Sequence, residues 1–271
     1  MRIPERLKAK AGVSILEVLI ALIITGIITT AIFRLYVTQH KNYIIQDDIT
    51  EIQQSARAAI DELSRHIRVA GNDLPTGIAP LAASNTNPDT ITLTYRVDNC
   101  ETTLDSNMSY TGEELACGSS VSCFQAGDWV YIFHPDSGGG EWFTITGLVL
   151  GSNHIQHATP LSHAYAKDAI VISLQQVKFY IDNTTDPTHP NLMLELPGQA
   201  PQVYAENISD LEFRYRLKNG TIVDAPILVD DVREVLLTIT ARSRTPDTED
   251  TDDPYRSRTY TSSVNIRNLG A

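Results

Sequence analysis

A single carboxylate stands where ionic chemistry is costly. Glu17 lies five residues into an almost unbroken apolar run from Val13 to Phe33. An acid inside a membrane-length segment is rare, and in lipid it wants a partner. Just ahead of the run stands Gly12. Glycine admits backbone conformations closed to other residues, and it is a poor helix former, so it can separate the preceding segment from a helix. Other chemistry-bearing residues are sparser. Cys100, Cys117 and Cys123 fall in one loop region, which allows three single pairings and leaves one thiol over. One bridge is expected, with its partners open. No Cys-x-x-Cys pair or nearby His completes zinc spacing. Asp247, Glu249, Asp250, Asp252 and Asp253 form a weak calcium candidate, because such a run is ordinarily a solvated loop. His134, His154, His157 and His163 lack a His-Glu-x-x-His helix, and no Gly-x-Ser-x-Gly elbow is present. Gly138, Gly139 and Gly140 read as a flexible turn. The expectation is a protein with no catalytic residues, no metal and no cofactor.

The elements that would carry these groups are legible. The run from Val13 to Phe33 matches the roughly 20 helical residues that cross a hydrocarbon core. Arg2, Arg6, Lys8 and Lys10 precede it, opposed only by Glu5, which places that head in the cytoplasm and the rest across the membrane. No Ala-x-Ala site closes the run, as it would in a secretory signal. Beyond Arg34 the apolar residues Ile45, Ile49, Ile52, Ala56, Ala59, Leu63, Ile67 and Ala70 recur at spacings of three and four. That is one stripe on a helical period. Glu62 and His66, and Asp61 and Arg65, are spaced to pair along the helix. No proline interrupts Val13 to Ala70, and Gly71, Asn72, Asp73 and Pro75 supply stop signals. The helix would be one rod of about 85 Å.

From Thr76 onward, β-branched and aromatic runs alternate with turn residues. Strands are predicted at residues 90–97, 129–133, 142–150, 154–157, 169–181, 192–196, 211–217, 221–223, 234–241 and 258–266. Asn219-Gly220 is a type I′ hairpin signal. Leu236, Ile239 and Ala241 do not share parity, which implies a bulge or burial on both faces of that strand. One compact head of one or two antiparallel sheets is expected. The fold class is α+β, a long N-terminal helix packed on a C-terminal antiparallel head.

Gly12 followed by VSILEVLIALIITG resembles the class III signal of the type IV pilin and pseudopilin superfamily. The resemblance implies cleavage by prepilin peptidase between Gly12 and Val13, then N-methylation of Val13. It puts Glu17 at the family's acidic position, pairing with the Val13 amino group of a neighbouring subunit, and Gly26 at its recurrent glycine. Val13 departs from the usual Phe of major pilins. Ala56-Arg57-Ala58-Ala59, the run Leu63-Ser64-Arg65-His66-Ile67-Arg68 and Ala70-Gly71 are similar to the helix end of PilW-like minor pilins. The order Gly127-Asp128-Trp129-Val130, Val177 to Ile181, Ile208 to Tyr215 and Val264 to Asn268 adds to that likeness, which extends to the type II secretion J-subunit.

The division implied is a leader at 1–12, a membrane and filament-core helix at 13–35, an amphipathic helix at 36–72 and a β-rich head at 73–271. The role implied is a minor pilin near the filament tip that primes assembly and helps display an adhesin, in cell adhesion or twitching motility. Its partners would be the peptidase, major and minor pilins, the assembly platform and the adhesin. It would sit in the inner membrane with a periplasmic head, then in the extracellular pilus. A minor pseudopilin of type II secretion is one alternative. A bitopic membrane protein with a binding or enzymatic head is another. The formal charge is −12, and loss of a leader holding four bases and one acid would take it to −15, which argues against nucleic acid as a partner.

Overall fold

Ser14 is where helix geometry takes hold. The computed structural model describes residues 12–75, 77–110, 112, 114–136, 139–158, 160–226, 228–246 and 254–269. Helix α1 (Ile15–Val69) runs without a break. The Ser14 carbonyl accepts from the Glu17 and Val18 amides, so Ser14 occupies the N-cap position. The far end falls at Gly71, as the stop signals predict. Gly71 has φ +80°, a left-handed conformation that costs glycine little. Its amide donates to the Thr94 carbonyl (2.9 Å), and the Arg96 amide donates to Asn72 (3.0 Å). The helix end is thereby tied to a strand.

The chain divides into two compact units, Met1–Thr50 and Glu51–Ala271. In the first, all of residues 12–44 are exposed. In the second, the predicted stripe is buried at Ile52, Ala56, Ala59, Leu63, Ile67 and Ala70. Ile45 and Ile49 are only half-buried, so burial starts two turns later than the period alone implies.

Among the described residues the strands of the second unit are, first, β1 (Leu81–Ser84), β2 (Thr90–Tyr95), β3 (Glu101–Thr103), β4 (Glu114–Ala116) and β5 (Trp129–Phe133). Then come β6 (Gly140–Val149), β7 (His154–His157), β8 (Ile170–Ser173), β9 (Gln175–Asp182) and β10 (Asn191–Glu195). The last are β11 (Gln202–Ala205), β12 (Ile208–Leu217), β13 (Ile222–Val223), β14 (Val232–Arg242) and β15 (Ser257–Asn265). They form three sheets, with orders β1-β2-β9-β10-β11, β13-β12-β14-β15 and β3-β8-β5-β6-β7-β4. Every pairing is antiparallel. The class is therefore α+β, as predicted: the C-terminal part of a long helix packs on an antiparallel head. Three sheets stand where one or two were expected.

Two cores organise them. Residues of α1 share one core with the inner faces of the five- and four-stranded sheets, including Leu93, Phe179, Phe213, Leu237 and Ile239. The six-stranded sheet has its own core, with Leu115, Val130, Ile132, Phe143 and Ile155. Its two outer strands meet: Leu104 bridges Cys117, the Asp105 amide donates to Ala116 and the Gly118 amide to Thr103. The six strands thus close into a small barrel. This barrel occupies the chain between β2 and β9, which are neighbours in the five-stranded sheet with Tyr95 opposite Gln175.

Three local differences from expectation have physical causes. The run 169–181 reads as one strand, yet it parts at Leu174. Residues before it pair in the barrel and residues after it pair in the five-stranded sheet. The Asn219-Gly220 hairpin forms, but with a three-residue loop. Gly220 alone is left-handed (φ +84°), its amide donates to Leu217, and the Leu217 amide donates to Thr221. In β14 the buried residues Val235, Leu237, Ile239 and Ala241 do share one parity. Leu236 faces outward, and the irregularity lies opposite Arg216 and Leu217, where Arg233 is the extra residue.

Candidate functional site

The first unit carries an unsatisfied demand for burial. Ile15, Leu16, Val18, Ile20, Ile24 and Ile28 lie on every side of α1, and each is exposed. A helix apolar all round is stable when lipid or other helices surround it. Among the described residues, α1 is the one helix long and apolar enough to cross a membrane. Its polar atoms suit that setting. The Thr29 hydroxyl donates to the Thr25 carbonyl and the Thr30 hydroxyl to Gly26 (each 2.8 Å), so neither needs water.

Glu17 sits in the first turn, where the helix dipole favours an anion. Among the described residues no side chain pairs with it. Gly12 and Val13 lie just outside the helix and are exposed, and Gly26 has open space around it. The geometry puts an accessible chain segment, a carboxylate one turn inward and a bare apolar cylinder into one continuous stretch. A cationic group on another molecule could reach Glu17 while apolar neighbours cover the cylinder. Residues 1–11, which hold the predicted leader, lie outside the described residues.

In the head, Cys100 and Cys123 form a disulfide, which resolves the open pairing. Cys117 remains a buried thiol, pushed up to about 11 by burial. The weak calcium candidates Asp247, Glu249, Asp250, Asp252 and Asp253 lie outside the described residues. Among the described residues no three His, Cys, Asp or Glu side chains converge as metal ligands. His154 and His157 face opposite sides of β7. His154 meets Glu114 at 2.9 Å, while His157 packs inward against Phe143. His163 lies 3.6 Å from Glu141, and His134, just after β5, lines the same cleft as His163.

A cluster not foreseen from sequence joins α1 to the five-stranded sheet. His66 is buried, with Nε2 3.0 Å from Glu62 and Nδ1 2.7 Å from the Tyr95 hydroxyl. A carboxylate only accepts, so Nε2–H donates to Glu62 and Tyr95 O–H donates to Nδ1. Burial holds His66 below its usual value and pushes Tyr95 up to about 12. Burial also raises Glu62, but hydrogen bonds from Arg65 and His66 outweigh that and hold its carboxyl low. Arg65 pairs with Glu62 rather than with Asp61. The i, i+4 spacing of Glu62 and His66 was visible in the sequence, but the third member comes from a strand 29 residues on. With His66 and Tyr95 both buried, the cluster ties the helix to the five-stranded sheet.

Asp89 is a second polar tie. Its carboxylate accepts from the Phe213 amide (2.8 Å) and the Thr86 amide (3.0 Å), and its own amide donates to Leu211 (2.8 Å). It links the start of β2 to β12, in different sheets.

No protein-family model matches this chain, and no curated protein matches it.

Proposed function

We propose that this chain is a minor pilin of a type IV pilus, a non-enzymatic subunit of a helical filament. The observation that carries the proposal is the continuous stretch Gly12, Val13 and Glu17 at the head of a helix whose apolar residues are exposed on all sides. Prepilin peptidase cuts after Gly12, and the new Val13 terminus is methylated. The subunit waits in the inner membrane with its head on the far side. The assembly platform then moves it into the filament, where neighbouring helices replace lipid around α1. That exchange costs little, because both surroundings are apolar, and packing supplies the gain.

Glu17 gives the transfer its register. A carboxylate in lipid is costly, and pairing with the Val13 amino group of the preceding subunit relieves that cost. The disulfide-stapled head fits an oxidising compartment. The head then contacts other minor pilins near the tip, priming assembly and helping to display an adhesin.

Two measurements test this. Mass spectrometry of the protein from membranes is expected to find a methylated Val13 terminus. An intact Met1 terminus in cells that process other prepilins would overturn the proposal. Glu17→Ala is expected to reach the membrane at normal level yet be depleted at least tenfold in sheared filaments, since about 1.4 kcal/mol already gives that factor. Normal incorporation would remove Glu17 from assembly.

A further inference from the structure

Among the described residues, the sheet edges of this head are blunted, with one exception. An exposed edge offers unpaired backbone groups to another strand, and proteins shorten, cover or close their edges to prevent this. Here the barrel closes on itself. The five-stranded sheet ends in β1 and β11, each four residues long. The four-stranded sheet ends in the two-residue β13 on one side. Its other edge is β15, nine residues long. β15 pairs with β14 over its whole length without a register shift. It contains no proline, lysine or acid.

The polarity of this edge follows from its register. The Ser243 amide donates to Arg256 and the Ile266 amide to Arg233, so even-numbered residues of β15 bond toward β14. Ser257, Thr259, Thr261, Ser263 and Asn265 therefore turn their N–H and C=O outward. Their side chains are exposed as well. None of these backbone groups has a partner among the described residues.

We propose that β15 is an interaction edge that receives β15 of a second copy of this chain. The strand is self-complementary about Thr261. In an antiparallel pairing with Thr261 opposite its counterpart, Ser257 faces Asn265 and Thr259 faces Ser263, so all five outward-bonding residues meet outward-bonding residues. The one charged residue, Arg258, lies opposite Val264, so no like charges meet across the seam. This is the part of an acidic chain best suited to self-association, since β15 carries a base and no acid while the whole carries −12. The product is an isologous two-fold contact that joins two four-stranded sheets into one. The inference does not depend on the filament proposal.

The test is sedimentation equilibrium of the full chain in detergent micelles, with two variants. The wild-type chain is expected to dimerise reversibly. Thr261→Lys sits on an exposed, outward-facing position, so the fold is retained, but two ammonium groups then meet at the two-fold; dimerisation should weaken at least about tenfold. Thr261→Cys should form a reducible dimer on mild oxidation, because directly opposed residues of this kind have Cα atoms about 5.5 Å apart, within disulfide reach. Thr146→Cys, exposed on the barrel, should not. A wild-type chain that stays monomeric at its highest soluble concentration overturns the proposal. So does a dimer that persists in Thr261→Lys and fails to cross-link through residue 261, since that contact would lie elsewhere, in the apolar helix or against a different strand.

Discussion

Loss of the Cys100–Cys123 bond should loosen the barrel by an amount the chain itself sets. The two residues are 23 apart in sequence. Closing a loop of that length removes about 11 cal/mol/K from the unfolded ensemble, worth about 3 kcal/mol at room temperature. The closed segment holds β3 and β4, the two strands whose bridge completes the barrel. The assay is built in. Both tryptophans, Trp129 and Trp142, lie on β5 and β6 of the barrel with their rings stacked 6.2 Å apart. Urea unfolding of the full chain in micelles, followed by tryptophan fluorescence, should show a Cys100→Ser/Cys123→Ser double variant about 3 kcal/mol less stable than the oxidised protein. Reductant should destabilise the wild type equally and the variant not at all. Cys117 will not confuse the comparison, because burial keeps its thiol protonated and shielded. An unchanged midpoint would refute the reasoning. So would mass mapping that joins Cys117 to either partner in native protein.

Two further outcomes concern the ties between elements. Asp89→Ala should cost about 2 kcal/mol by urea titration, because the buried Phe213 amide loses its acceptor, whereas Asp89→Asn retains one acceptor and should lose less. His66 is held below its usual value by burial, so the unfolded chain takes up its proton first as pH falls. Stability from this group is present above about pH 6.5 and is lost as pH drops toward the folded value. His66→Gln should flatten that slope in thermal unfolding scans between neutral and mildly acid pH; an unchanged slope would assign the acid sensitivity elsewhere. Asp89 works in the opposite sense, since burial raises its carboxyl and its contribution falls as pH rises above the ordinary carboxylate value.

Helix α1 was legible from end to end because its signals are local. The absence of proline, the period of the stripe from Ile52 to Ala70 and the glycine stop each act within a turn of the chain. The alternation in β12 was legible for the same reason, since one face is buried and the other wet. The short strands β1, β3, β4 and β11 were not. Three or four residues carry too little pattern, and these segments are extended because a distant partner fixes them: Leu115 needs Ile155, and Thr102 needs Val171. The break at Leu174 was hidden because residues 169–181 contain no Gly, Pro, Asn or Asp to mark a turn, while Val171 on one side and Val177 on the other are buried in different cores. The cysteine pairing likewise depended on the barrel bringing residues 100 and 123 together while keeping 117 inside it. In the segment we propose for assembly, Gly12, Val13 and Glu17 are singled out by the sequence alone, and the structure adds that they stand exposed at the head of α1.

The barrel leaves the five-stranded sheet after Tyr95 and returns at Gln175, two residues that face each other across adjacent strands. Its departure and arrival points are therefore a hairpin's width apart, and it brings its own interior and its own covalent staple. Such a unit is a cassette: evolution can enlarge it, trade it or prune it to a tight turn without rethreading the scaffold beneath. Whatever the barrel's outer surface comes to recognise can then diversify at the pace of a loop, while the helix and the two sheets that seat it stay under the stricter rules of packing.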